Sequence, residues 1–515
     1  MNRHDMTPEQ LRAATSRHPR LYVRAGPGSG KTFMATEAFG HLRHVRFADD
    51  PRGVLGVTFA RSARRELETR VAGRWGNRAV RTPNGIHTFD DLHRRLVRYL
   101  IAEGLVEWPG GVAPTRIGDS WNQHEDSTNR LRNKDRCVLS LDDEGSVSIG
   151  TTRSNITAPS PCFTDQQKYL EALSDGICTH AEIRSVLSAA LDDARYPTFN
   201  RAMRACLAAG ACHILIDEAF DMNPLDARIV ERAIEAGLTV TMVGDPWQTL
   251  YEFRGSTPKV VNDLITDHSF VSLPMRGSRR FETAEMRDLA DLLFDGDWFT
   301  VEPPGFDDEF DVVIAQDWLD LWTYDARPVL PAGRPSRMDG GWAASCFVLV
   351  LNEIVHDMLG VDATGVGEAR RRIGSEDIQG QLATVVAVLK DPSTSPGEVW
   401  DTVRAEFEPI VNRRWKKPGG IANQCMERLK SLATAGETPV LGLSVHQAKG
   451  LEWPAVLFLT SELATRDGII NRLNIDHDNH RAIYVALTRA KQTVRVEYVS
   501  QRYGVDRSPV EMTYA

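Results

Sequence analysis

Lysine is scarce in this 515-residue chain, supplying ten of the 61 basic residues and leaving the rest to arginine. Cysteine is sparse too. The seven thiols (Cys137, Cys162, Cys178, Cys206, Cys212, Cys346 and Cys425) are scattered and never spaced C-x-x-C, so neither a disulfide framework nor a zinc cage is expected. No apolar run approaches the roughly 18 residues that span a bilayer, and the opening MNRHDMTPEQ lacks the charged-then-apolar layout of a secretory signal. The expected location is cytoplasmic. Solenoid-spaced repeats and low-complexity tracts are absent from the pattern. What remains is ordinary globular composition, 42% apolar and 25% charged, in a length that implies about three to five packed units.

The 61 basic residues face 70 acidic ones, a net charge of −9, and such a balance argues at first against a polyanionic partner. Its distribution argues otherwise. Seven arginines (Arg61, Arg64, Arg65, Arg70, Arg74, Arg78 and Arg81) stand against only Glu66 and Glu68, while acids gather elsewhere, as from Asp307 to Asp311. On charge alone, a solvated helix face explains the arginines equally well.

Strands and helices alternate along the chain. Leu21–Val23, Val54–Phe59, His213–Ile216 and Thr239–Val243 read as strands of one α/β unit, with Arg61–Arg74 a helix between them. Phe310–Ile314, Val440–Ser444, Ala455–Leu459 and Val494–Tyr498 read as strands of a second. Two polar stretches interrupt these units. In the first, residues 122–157 have the texture of loops with a short hairpin and residues 165–191 look helical. In the second, helical patterns cover residues 378–389 and 400–411. Strands ending in polar residues describe parallel sheets with a site at the carboxyl edge.

Two motifs carry chemistry. Ala25-Gly-Pro-Gly-Ser-Gly-Lys-Thr32 lies between the first strand and a helix, where Gly26, Gly28, Ser29 and Gly30 let backbone N–H groups close on phosphates. Lys31 would neutralise the β/γ charge, and the Thr32 hydroxyl would hold magnesium. The cofactors expected from this motif are a phosphate-bearing nucleotide and Mg2+. Asp217-Glu218 follows a buried strand and supplies a metal carboxylate, Asp217, beside a carboxylate that positions water, Glu218.

The next strand delivers Gly244-Asp-Pro-Trp-Gln-Thr-Leu-Tyr-Glu-Phe-Arg-Gly255, and with this string the chain resembles superfamily 1 helicases of the UvrD/Rep/PcrA type. Thr7-Pro-Glu-Gln10 resembles the family's adenine-reading motif, which implies that Gln10 reads the base. Residues 58–67 and 88–92 resemble DNA-contacting motifs, Pro274-Met-Arg276 falls at the place of motif IV, and residues 445–452 and 484–490 resemble motifs V and VI. The resemblance implies that Gln248 senses the γ-phosphate, that Arg276 and Arg489 reach it from the second unit, and that Glu452 bonds the ribose. It implies DNA contacts at Thr58, Phe59, Arg61, Thr88, Phe89, Tyr251, Phe253 and His446. Arg279 and Arg280 are rivals for the role of Arg276. The implied fold is α/β, two RecA-like P-loop domains in tandem, each interrupted by a largely helical insertion. The expected bounds are 1–95 and 206–266 for domain 1A, 96–205 for insertion 1B, 267–359 and 439–515 for domain 2A, and 360–438 for a reduced 2B-like insertion.

The chain departs from the family in three places. Phe220 stands where the family usually has Gln, Met275 where a Tyr commonly stacks on adenine, and only about 170 residues separate Arg276 from His446. The expected function is an ATP-dependent translocase or helicase on single-stranded or tailed duplex DNA, 3′ to 5′ by resemblance. The alternative is a DNA-end-sensing ATPase subunit that regulates a separate nuclease, similar to the helicase-like subunit of Gabija-type antiphage systems. A fused nuclease with a D…E-x-K site is not expected, since no lysine follows Lys491. Arg413-Arg-Trp-Lys-Lys417 reads either as an extra nucleic-acid contact or as a solvated helix end.

Overall fold

The chain divides into two units, Met1–Arg279 and Arg280–Ala515. The computed structural model describes residues 6–119, 121, 135–153, 162–192, 194–250, 256–335, 338, 341–374, 378–415, 418–461 and 469–499.

The first unit opens with α1 (Pro8–Ala14), β1 (Arg20–Ala25), α2 (Lys31–His41), β2 (Gly53–Thr58), α3 (Arg61–Trp75), β3 (Gly85–Thr88) and α4 (Phe89–Ala102). An insertion follows, with β4 (Arg116–Gly118), β5 (Asp135–Leu141), β6 (Val147–Arg153), α5 (Gln166–Ser174), β7 (Ile177–Thr179) and α6 (His180–Ala190). Then α7 (Pro197–Gly210) leads back to β8 (Ala211–Ile216), α8 (Pro224–Glu235), β9 (Thr239–Gly244), α9 (Pro258–Asp267) and β10 (Val271–Met275). The sheet order is β10-β1-β9-β8-β2-β3, with every pair parallel. Its inner strands are near-continuous apolar runs because helices cover both faces. Met34, Ala38, Phe39, Leu67 and Val71 of α2 and α3 fill one side, and Leu96, Leu100, Met203, Leu207 and Ile229 of α4, α7 and α8 fill the other. Reciprocal side-chain caps fix where helices begin, with Thr7 and Gln10 at α1, Thr88 and Asp91 at α4, Thr179 and Glu182 at α6, and Asn223 and Asp226 at α8.

The second unit runs α10 (Ala284–Asp295), β11 (Phe299–Val301), β12 (Val312–Ala315), α11 (Trp318–Thr323), β13 (Val329–Pro331) and α12 (Trp342–Leu359). Its insertion is helical, α13 (Val366–Ile373), α14 (Gln379–Lys390), α15 (Pro396–Val411) and α16 (Ile421–Thr434). It closes with β14 (Val440–Ser444), α17 (Val445–Ala448), β15 (Trp453–Thr460), β16 (Ile469–Asn471), α18 (Asp478–Leu487) and β17 (Ala490–Tyr498). The sheet order β13-β14-β12-β15-β17 is again parallel, and β11 pairs antiparallel with β16. Two parallel α/β domains in tandem are thus present as the sequence implied.

Several expectations need correction. Residues 271–275 were expected in the second domain, yet β10 pairs with β1 at the edge of the first sheet, and the division falls after Arg279 rather than at 266/267. The bounds 95/96 and 205/206 cut through α4 and α7, which grow directly out of the sheet. Insertion residues Trp108, Phe163, Tyr169 and Leu187 share one apolar cluster with Leu96 and Ile214, so the first insertion is an extension of the domain's core. It is also more mixed than largely helical. The stretch around Asp142-Asp-Glu-Gly145 turns the β5–β6 hairpin, with Gly145 at φ +90°, a conformation that favours glycine. The second insertion lies between Gly360, which caps α12, and the start of β14. Among the described residues one helix, α12, has the length and mean hydropathy (18 residues, 1.3) that would cross a membrane, but it carries Glu353 and Asp357 and 61% of it is buried inside the unit as packing for α13–α16.

Candidate nucleotide site and nucleic-acid interface

The P-loop leaves the carboxyl end of β1, next to the ends of β9 and β10. Ala25 is buried, the Gly26 N–H donates to the Met275 carbonyl (3.0 Å), and Ser29 closes the turn with its N–H and hydroxyl on the Gly26 carbonyl. Gly28 and Gly30 sit at φ +69° and +82°, so the turn needs residues without a Cβ. At Gly30 a Cβ would lie 2.8 Å from Gln10 Nε2. Gln10 is fully buried; its Nε2 donates to the Ser29 carbonyl (2.7 Å) and its Oε1 accepts from the Thr7 N–H (3.0 Å). The expected adenine reader is therefore built into the loop wall.

Lys31 opens α2 with its ammonium donating to Gln248 Oε1 (3.0 Å) and 3.7 Å from a Glu218 oxygen. Gln248 is itself oriented, its Nε2 donating to Asp245 Oδ2 (2.9 Å), while Asp245 Oδ1 caps the Trp247 N–H. Asp245 went unsingled in the sequence although it lies inside the Gly244–Gly255 string. Asp217 follows β8 and its N–H donates to the Val57 carbonyl. Burial, reinforced by the Glu218 carboxylate, pushes Asp217 up to about 7, with Lys31 pulling the other way. Glu218 takes a left-handed backbone, φ 56° and ψ 45°, a cost of about 1 kcal/mol for a residue with a Cβ. Thr32 and Asp217 offer hard oxygens, the donor type that magnesium takes beside phosphate. Cradle, ammonium and carboxylates together suit a magnesium-bound nucleoside triphosphate.

Around this core the remaining predicted residues divide. Arg276 is exposed at the end of β10 in the first unit, with its N–H on Glu9 Oε2 (2.8 Å), and so is not the second-unit residue expected. Its neighbour Arg279 donates its N–H to the Gly28 carbonyl (3.0 Å) and lays its guanidinium 5.9 Å over the Phe33 ring. In the second unit, Arg280 pairs with Glu452 (2.8 Å), which also meets Lys491 at 3.3 Å. Arg489 is 1% exposed; its guanidinium donates to the Val485 carbonyl and the Thr488 hydroxyl of α18 and the loop after it. His446 is exposed on α17.

Of the predicted DNA contacts, Thr58, Thr88 and Phe89 are buried, with Thr88 capping α4 and Phe89 packed against Phe59, the rings tilted by 32° and 5.0 Å apart. Phe59 is half-buried and Arg61 exposed. Arg61, Arg64, Arg70 and Arg74 meet Asp119, Glu68, Glu66 and Glu37, so the arginine stretch is partly neutralised from within. Tyr251 and Phe253 lie outside the described residues, as do Lys416 and Lys417. Trp415 donates its N–H to Glu408 Oε1 just past the end of α15.

The profile of a family described as AAA domain matches residues 10–254, and that of the UvrD-like helicase C-terminal domain matches residues 439–496. The first takes in the P-loop, the acid pair and Gln248; the second takes in His446, Glu452 and Arg489. The two matches and the relatives that follow support a UvrD/Rep/PcrA-type superfamily 1 helicase. The class is that of ATP-hydrolysing DNA helicases, enzymes that bind nucleotide and DNA. Among relatives of this UvrD-type chain, the ATP-dependent DNA helicase UvrD2 of Mycobacterium tuberculosis is 22% identical over 583 aligned residues, 97% of this chain and 79% of that protein. YjcD of Bacillus subtilis, also named as an ATP-dependent DNA helicase, is 25% identical over 280 residues, 50% of this chain, which spans 34% of YjcD's length. Among solved structures, an arterivirus nonstructural protein 10 helicase bound to DNA aligns over 95% of this chain and 62% of that one at 13% identity and a TM-score of 0.30, too loose a likeness to bear on the fold.

Proposed function

We propose that this chain is a magnesium-dependent, DNA-stimulated ATPase that moves 3′ to 5′ along single-stranded DNA in the cytoplasm. The observation that carries the reading is the placement of Lys31, held at 3.0 Å by Gln248 and 3.7 Å from Glu218. One ammonium thus joins the phosphate loop to the γ-phosphate sensor and to the acid that activates water. Thr32 and Asp217 would hold the magnesium ion, which when bound neutralises phosphate charge. Glu218 orients and deprotonates the attacking water, Lys31 balances the charge that develops on the phosphoryl oxygens, and Arg276 and Arg489 add to that balance. Gln10 reads the base and Glu452 the ribose. Phe59, with Tyr251 and Phe253, offers ring faces to successive bases, which tolerates any sequence, while Arg61 and His446 meet the strand.

A second reading is supported by the size of the second insertion, four helices within residues 366–434. In it the chain senses DNA ends and governs a separate nuclease, with little strand separation of its own. Duplexes bearing a 3′ or a 5′ single-stranded tail distinguish the two. The motor separates the 3′-tailed duplex with ATP and magnesium and leaves the 5′-tailed one paired. ATP turnover without separation of either supports the sensor.

A further inference from the structure

The first unit contains a run of titratable and charged groups, buried at His93 and Asp226 and part-exposed at Asp90 and Arg184, that these roles leave unused. It starts on α8, the helix that follows Asp217 and Glu218. Asp226 Oδ2 accepts from the Asn223 N–H at the cap of that helix, and Asp226 Oδ1 lies 2.8 Å from Nε2 of His93 on α4. His93 is 2% exposed. Its Nδ1 faces Asp90 Oδ1 at 3.6 Å, beyond hydrogen-bond reach, and has no bonded partner among the described residues. Asp90 in turn meets Arg184 (2.9 Å) and His180 (3.8 Å), both on α6 of the insertion. Burial works against a charged ring, but hydrogen bonding and charge from Asp226 and then Asp90 outweigh it and raise the His93 pKa.

The same ring is reached from the other side by aromatic contacts. Phe59, half-buried at the end of β2, lies 5.0 Å from Phe89, and Phe89 lies 6.2 Å from His93 one turn along α4. A base pressing on Phe59 would act on α4 through Phe89. Directly after Glu218, Ala219 and Phe220 are buried, and Phe220 packs edge-on against Tyr22 at 5.8 Å.

Resting on the DNA-stimulated ATPase reading above, we propose that His93 is a positioning residue that couples occupancy of the Phe59 face to the Asp217–Glu218 segment through its buried bond to Asp226. A buried ring with one nitrogen bonded at 2.8 Å and the other 3.6 Å from Asp90 has two arrangements available, and a small shift of α4 against α8 selects between them.

The test uses the full chain and oligothymidylate. In His93→Gln, which keeps a donor and removes the ring, turnover without DNA and the ATP KM stay within about twofold of the parent. The stimulation by saturating oligothymidylate falls about tenfold, while the oligonucleotide concentration giving half-stimulation moves less than about threefold. Asp226→Asn, which keeps the shape of the partner, gives the same loss and stands in should His93→Gln fail to fold. Full stimulation in either folded variant overturns the proposal, as does an equal fall in basal and stimulated rates, the mark of a structural tie only. A parent enzyme that oligothymidylate does not stimulate overturns the function reading itself.

Discussion

Replacing Gly30 by Ala tests how the phosphate loop is held. The residue sits at φ +82°, where an L side chain costs about 1–2 kcal/mol. The new Cβ also meets Gln10 Nε2 at 2.8 Å. Gln10 is the free end of a side chain and would ordinarily yield, but it is fully buried and tied to the Ser29 carbonyl and the Thr7 N–H. Yielding therefore leaves the buried Ser29 carbonyl without its donor, a further cost of about 1–3 kcal/mol. Gly30→Ala should destabilise the first unit by about 2–5 kcal/mol, the sum of the two terms. In a Gln10→Ala background the obstruction is gone, and the same substitution should cost only the backbone term, about 1–2 kcal/mol. Denaturant unfolding of the four proteins measures the difference, a coupling of about 1–3 kcal/mol. Strict additivity would refute the reasoning, because it would mean that Gln10 does not form the wall of the loop.

Two further outcomes follow from burial. The Asp217 carboxyl, lifted to about 7, must lose its proton to hold a cation. The magnesium concentration that half-saturates nucleotide binding should rise about tenfold between pH 8 and pH 6, with Asp217→Asn giving the nucleotide's own share of that slope. Equal slopes in the two proteins would contradict the raised pKa. Leu100 on α4 is fully buried in the cluster shared by sheet and insertion, so Leu100→Ala should cost about 2–5 kcal/mol. Hydrogen exchange should quicken in α6 and in β8 together; quickening in the insertion alone would make it a separate body.

The phosphate loop and acid pair were legible in the sequence because each is a short string whose residue types are dictated by one ligand. Their surroundings were not. The edge strand β10 hides behind Pro274, which removes a ladder donor and is tolerated only because one side of the strand is unpaired. Nothing local announces that Phe89 turns inward beneath Phe59 while its neighbour Thr88 caps a helix. His93 and Asp226 stand 133 residues apart and meet only because α4 and α8 pack on the same face of one sheet. The apolar length of α12 reads alike for a core helix and a membrane helix until its neighbours are known.

The most direct measurement of the central claim is ATP turnover with and without single-stranded DNA in the parent chain and in Lys31→Ala. The parent should hydrolyse ATP faster on DNA, and the variant, without the ammonium that joins the phosphate loop to Gln248 and Glu218, should lose that turnover by about a hundredfold or more. Undiminished DNA-stimulated turnover in Lys31→Ala would contradict the account.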